Sequence, residues 1–167
     1  IAPPLAQDAP QPFHETIEFL YSGSNPIQKD VQLSAIREDL VATLSGQVLD
    51  QDGTPLAGVK VTSLGKSELG YTISREDGKF DIAFNSGGFT TLKFERNGYA
   101  TASRDIETRL QTMYGIEPVR LVKRDSKVTT LQIGSDIAQV ASGTPTTDER
   151  GTRTATVLIP PNTTAHL

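Results

Sequence analysis

The chain has no cysteine and no tryptophan, and only one methionine and two histidines among 167 residues. Without cysteine there are no disulfides and no thiolate metal sites, and the redox compartment leaves no trace in the sequence. No apolar run approaches the roughly twenty residues that a membrane-spanning helix needs, so membrane insertion is not expected. The histidines are His14 and His166, both in peripheral segments. A serine nucleophile with a histidine base needs the two within hydrogen-bond reach on a rigid frame, so no hydrolase site is expected. Basic clusters are missing too. The formal net charge is −4, and the tightest basic pair, Lys123-Arg124, follows a strand-like run; phosphate binding wants clustered Lys and Arg, so nucleic acid is not an expected partner. The chain starts at Ile1 with no basic stretch leading into an apolar run, and Ile1 reads as an internal start: that of a fragment, a processed product or a segment of a larger chain.

What is present is β patterning. Residues 1–12 are rich in Pro and Ala without a period and read as a linker or extended arm. Ile17, Phe19 and Tyr21 alternate with Glu18 and Leu20, which predicts a short strand before the turn at residues 23–26. From Leu40 the alternation is firm: Leu40, Ala42, Leu44, Gly46 and Val48 fall on one face, Val41, Thr43, Ser45 and Gln47 on the other. Strand-like runs follow at 59–64, 71–74, 79–84, 89–96, 99–106 and 116–122. Asp52-Gly53, Asp77-Gly78, residues 85–88 and Asn97-Gly98 punctuate them, and Asn-Gly and Asp-Gly tolerate the positive φ of tight turns. Only residues 34–40 and 104–115 have the makings of a helical turn. Many short strands with little helix predict an all-β sandwich or barrel. Val61, Phe80 and Leu92 are assigned to inner faces by alternation. After a composition shift, 128–133 and 154–161 read as two further strands around a Ser/Thr/Gly-rich loop, the second stopped by Pro160-Pro161. The expected division is an arm with a short strand over 1–39, a β-sandwich over 40–123, and a second, partial β unit over 124–167.

Asp50-x-Asp52-Gly53 begins like a calcium loop. Such a loop needs Gly at its sixth position and a bidentate Glu at its twelfth; counted from Asp50, those positions hold Pro55 and Val61. The stretch therefore reads as a turn, and the Arg75-Glu76-Asp77-Gly78 turn offers still fewer oxygens in register. Glu76 and Asp77 are adjacent turn formers rather than an acid/base pair. Asn85-Ser86-Gly87-Gly88 has no following helix or Lys to make a phosphate cradle. No catalytic, cofactor-binding or metal-binding residue is assigned, and no cofactor is expected. Phe80, Phe84, Phe89, Phe94 and Tyr99 lie in the strand runs, where core or edge packing is the default, whereas Tyr71 and Tyr114 are candidates for stacking on a surface glycan. Asn162-Thr163-Thr164 fits the N-glycosylation pattern, which has meaning only on a eukaryotic secretory route.

Three stretches taken together, 46–61 (GQVLDQDGTPLAGVKV), 71–84 (YTISREDGKFDIAF) and 92–99 (LKFERNGY), carry a resemblance. Gly46, Val48, Asp50, Gly53, Pro55, Leu56, Gly58, Val59, Val61, Thr72, Asp77, Gly78, Phe80, Gly98 and Tyr99 match the carboxypeptidase regulatory-like domain, a transthyretin-like Greek-key sandwich that is not itself catalytic. The flanks 19–36 and 148–165 resemble those bracketing such a module in Rhs/YD-repeat, teneurin-like bacterial proteins, toxin carriers among them. The resemblance implies a non-enzymatic structural module of a large secreted or surface protein, linking to a fibronectin-like plug and covering one end of a YD-repeat shell. Its expected partners are that plug and shell. Other readings are a carbohydrate-binding or adhesive module and a regulatory appendage to a metallocarboxypeptidase-like enzyme. Residues 13–36 and 128–167 carry too few strands to close a core, so Ile17, Phe19, Val157 and Ile159 are expected to pack on other parts of the parent protein while 40–122 folds alone.

Overall fold

The computed structural model describes residues 10–165, and the chain divides into two compact units, Ile1–Lys123 and Arg124–Leu167. In the first unit a short helix α1, Phe13–Ile17, runs into a 3-10 turn at Glu18–Leu20, and a second 3-10 turn lies at Leu33–Ala35. The strands then follow as β1 Val41–Leu49, β2 Lys60–Ser63, β3 Tyr71–Ile73, β4 Lys79–Asn85, β5 Gly88–Glu95, β6 Ala102–Thr108, β7 Met113–Gly115 and β8 Val119–Arg120. One sheet has the order β4-β1-β7, with β8 also on β1; the other has the order β3-β2-β5-β6. Pairing is antiparallel except that β7 and β8 run parallel to β1. The fold is the expected all-β sandwich.

Its core is built from the alternating inner-face residues. Leu44, Val48, Val61, Phe80, Ile82, Phe84, Leu92 and Phe94 have no exposed surface, which places Val61, Phe80 and Leu92 on the inner faces predicted for them. Phe80 of one sheet meets Phe94 of the other edge to face, ring centroids 5.5 Å apart, a geometry that adds about 0.5–1.5 kcal/mol to the burial. Gly46 faces Phe80 across the β1–β4 ladder. A Cβ there would come within 2.8 Å of Ile116 Cγ1 and 2.9 Å of Phe80 Cε1, so the missing side chain leaves room for the ring.

Four expectations for the first unit are corrected. Residues 17–20 are helical rather than a strand, with Tyr21 capping the turn: Ile17, Leu20 and Tyr21 are spaced i, i+3, i+4, and these are the three that are buried. The segment over 13–36 is not an arm awaiting a neighbour. Ile17, Leu20 and Tyr21 form a second apolar cluster with Val41 and Ala83, against which Phe13 and Phe19 pack. This explains why β1 is buried on both faces at its start, from Val41 to Leu44. The run expected at 116–122 shortens to β8, Val119–Arg120, just after Pro118, which cannot donate to a ladder; β7 ends before the run begins. Residues 104–115 contain no helical turn, the first part being β6 and the last β7.

The second unit holds β9 Gln139–Ser142, β10 Thr146–Asp148, β11 Gly151–Arg153 and β12 Thr156–Ile159. They form two separate two-stranded pairs, β10 with β11 and β12 with β9. No residue over 124–165 is buried. The strand expected at 128–133 does not form: Val128 is 86% exposed and the run has no partner strand.

Candidate functional site

The acidic loops serve the turns. Asp50 Oδ1 accepts the N–H groups of Asp52 (2.9 Å) and Thr54 (3.0 Å), an Asx turn that directs this carboxylate oxygen into its own loop. Gly53 sits at φ 88°. In the second turn Asp77 Oδ1 accepts the Lys79 N–H at 3.0 Å, and that bond, with Lys79 and Arg75 nearby, holds the Asp77 carboxyl below the usual carboxylate range. Gly78 has φ 74°, and a Cβ on it would lie 2.4 Å from Val48 O. Among the described residues no three His, Cys, Asp or Glu side chains gather as metal ligands.

The candidate catalytic and stacking groups are dispersed. His14 Nε2 lies 3.8 Å from Glu38 Oε2, and His166 falls outside the described residues. A surface cleft of about 440 Å³ opens beside Tyr71, lined by Lys60, Thr62, Leu64 and Lys93 among others. Lys60 Nζ lies 4.3 Å from the centre of the Tyr71 ring, a cation–π contact over one of its faces. Tyr114 is half-buried; its hydroxyl donates to Arg109 O at 3.1 Å and accepts the Arg109 N–H. Phe89, expected to pack, is 78% exposed.

What the structure does assemble is a set of sealed and open strand edges. An unpaired edge is a template for another chain, and natural sheets cover or charge it. Two edges are each met at one position by residues 28 and 29. The Gln28 side chain is fully buried and behaves like a strand's main chain along β4. Its Nε2 donates to Ala83 O (3.0 Å) and Leu69 O (2.6 Å), and its Oε1 accepts the Ala83 N–H (2.7 Å). One residue on, Lys29 exchanges backbone bonds with Tyr71 on β3, 2.7 and 3.0 Å. Gly70 makes the approach possible: at φ 66°, a Cβ on it would sit 1.9 Å from Lys29 O. Sequence reasoning passed over Gln28, because a lone Gln after a turn carries no pattern that marks it as buried.

The open surface is in the second unit. Val157 pairs with Ala141 and Leu158 with Val140 across the β9–β12 ladder, and adjacent residues of a strand point to opposite faces. Val140, Val157 and Leu158 are 56%, 55% and 62% exposed, so both faces of this ribbon present apolar side chains to solvent. Asp125 clasps its far end. It accepts the Lys127 N–H at 2.9 Å, the Thr144 N–H at 2.6 Å and the Thr144 hydroxyl at 2.8 Å, and these bonds lower its pKa to about 2.

The family model described as "Teneurin TTR-like domain" matches residues 36–121. The chain is 36% identical to Teneurin-3 of Mus musculus over 123 residues, covering 74% of this chain and 4% of that protein. It is 32% identical to Teneurin-1 of Gallus gallus over 138 residues, covering 81% and 5%, and 35% identical to Teneurin-m of Drosophila melanogaster over 95 residues, covering 57% and 3%. The chain thus spans about a twentieth or less of the length of these relatives. Among solved structures, hydroxyquinol 1,2-dioxygenase from Pseudomonas putida overlaps 54% of this chain and 59% of its own at 11% identity and a TM-score of 0.43, a likeness too slight to bear on activity. The match upholds the transthyretin-like fold and the teneurin kinship of the resemblance, under the teneurin label rather than the carboxypeptidase regulatory-like one.

Proposed function

Since this chain belongs to the teneurin TTR-like domain family, we propose that it is a non-catalytic structural module of a large cell-surface or secreted teneurin-like protein. Its sandwich carries the chain into a β unit that other parts of the same protein complete, in the manner of a plug that covers one end of a YD-repeat shell. One observation carries this reading: residues 124–165 form four strands in two ribbons and bury no side chain. An isolated two-stranded ribbon is marginal in water, and one with apolar residues on both faces calls for cover on both. The resemblance also pointed to a bacterial, toxin-carrying parent, for which the animal relatives named above give no support. Of the two tyrosines singled out for glycan stacking, Tyr71 has Lys60 over one face and Tyr114 is half-buried, which favours the structural reading over the glycan-binding one.

The test is a longer piece of the parent protein containing the sequence downstream of this segment. The reading expects Val140, Val157 and Leu158 to lose their solvent exposure there, read by protection from radical footprinting. Unchanged labelling at all three positions would refute it.

A further inference from the structure

The turn that ends β12 has a property the structural role does not use. Asn162-Thr163-Thr164 is an Asn-x-Thr triplet with a non-proline middle residue, the acceptor pattern for N-linked oligosaccharide. The other three asparagines do not fit it: Asn25 precedes Pro26, and Asn85 and Asn97 have Gly87 and Tyr99 two residues on. A triplet alone is a weak signal. The folded geometry strengthens it, because everything that holds this turn leaves the acceptor groups free. Asn162 sits at φ 57°, a left-handed conformation that asparagine tolerates better than most residues. The Asn162 N–H donates to Ser135 O at 2.7 Å, and the Gly134 N–H donates to Thr163 O at 3.0 Å. The Thr163 hydroxyl donates to Pro160 O at 2.8 Å. Backbone groups and Thr163 thus fix the corner, and no described residue takes a hydrogen bond from the Asn162 carboxamide or the Thr164 hydroxyl. Asn162 and Thr164 are both exposed.

We propose that Asn162 is an N-glycosylation site. In the transfer, Asn162 Nδ2 forms a bond to C1 of the first sugar of a lipid-pyrophosphate-linked oligosaccharide. The C1–O bond to the pyrophosphate breaks, the lipid pyrophosphate leaves, and the amide proton passes to a base on the transferase. The inference rests on the extracellular reading above, since the secretory route supplies that donor. It also constrains how the second unit is covered. The glycan stands beside the Ile159–Gln139 end of the β9–β12 ribbon, which must then stay in solvent, so whatever covers Val140, Val157 and Leu158 approaches along the faces or from the Ser142–Thr156 end.

The experiment expresses the full chain through a eukaryotic secretory pathway, followed by a reporter domain whose own acceptor triplet is known to be used. Occupancy is read by peptide mass spectrometry after enzymatic glycan release in heavy-oxygen water. The proposal expects most molecules to carry glycan at Asn162, none in Asn162→Gln or Thr164→Ala, and retention in Thr164→Ser, with unchanged β circular dichroism. A bare Asn162 beside a glycosylated reporter overturns it, as does a glycosylated chain that has lost its β signal. The same peptide from the parent protein in its native cells separates the two inferences. If Asn162 is modified in the expressed chain and bare in the native protein, the extracellular reading falls and the acceptor geometry stands.

Discussion

Gln28 is the residue on which the first unit's closure turns. Gln28→Leu keeps the bulk and removes all three hydrogen bonds, orphaning the Ala83 N–H and the carbonyls of Ala83 and Leu69. A buried backbone group left unpaired costs about 1–3 kcal/mol, so chemical denaturation should show a loss of at least that size; a change below about 0.5 kcal/mol would mean that water replaces the amide. Glycines give a matched contrast. Gly58→Ala meets nothing within 4 Å at φ 73° and should lose only the roughly 1–2 kcal/mol of left-handed strain. Gly70→Ala adds to similar strain a 1.9 Å clash with Lys29 O, so it should be distinctly worse and should unseat Lys29 from β3. At this scale the sequence was legible where a rule forbids something. Pro55 and Val61 exclude the calcium loop, and the structure shows Asp50 turned into its own loop. Alternation placed Phe80 inward and also favoured packing for Phe89, which is exposed. Gln28 was illegible, because its partners are main-chain atoms 41 and 55 residues away.

At the scale of elements, the N-terminal segment and the Asp125 clasp carry the predictions. Ile17 is 1% exposed in a cluster with Val41 and Ala83, so Ile17→Ala should cost about 2–5 kcal/mol of the sandwich's own stability. An effect confined to the segment, with β1 and β4 unmoved in their NMR shifts, would restore the separate arm. Asp125 has its pKa depressed to about 2 from an ordinary 3.8, chiefly by the Thr144 N–H, then by the Lys127 N–H and the Thr144 hydroxyl. A depressed carboxyl stabilises above its unfolded pKa and loses that contribution as pH falls through the folded one. The contribution to stability should therefore fade as pH falls from about 4 towards 2, while in the folded chain the Thr144 amide resonance should titrate with a midpoint near the folded value of about 2; Asp125→Asn should abolish that step, and a midpoint near 3.8 would show that the clasp does not form. Strand patterns were legible over 40–122 because each run has a partner. Two failures have one cause: short segments do not determine their own period. Ile17, Leu20 and Tyr21 fit a helix as Ile17, Phe19 and Tyr21 fit a strand, and the run at 128–133 has β propensity with no neighbour to pair with.

The whole molecule is an unequal pair: a sandwich unit with its own core, its β3 and β4 edges each met from within at one residue, and a second unit built of ribbons whose apolar faces have no cover among the described residues. Family kinship was legible in the glycine and aspartate turns, and the small number of strands after residue 124 already pointed to a unit without its own core, which the absence of any buried residue over 124–165 matches. Amide hydrogen exchange on the isolated chain tests this most directly, because protection reports the free energy of opening each segment. The account predicts slow exchange through β1, β2, β4 and β5, including the Ala83 amide held by Gln28, and near-unprotected exchange in β9 and β12. Protection of β9 and β12 equal to that of the sandwich, in the monomeric chain alone, would contradict it.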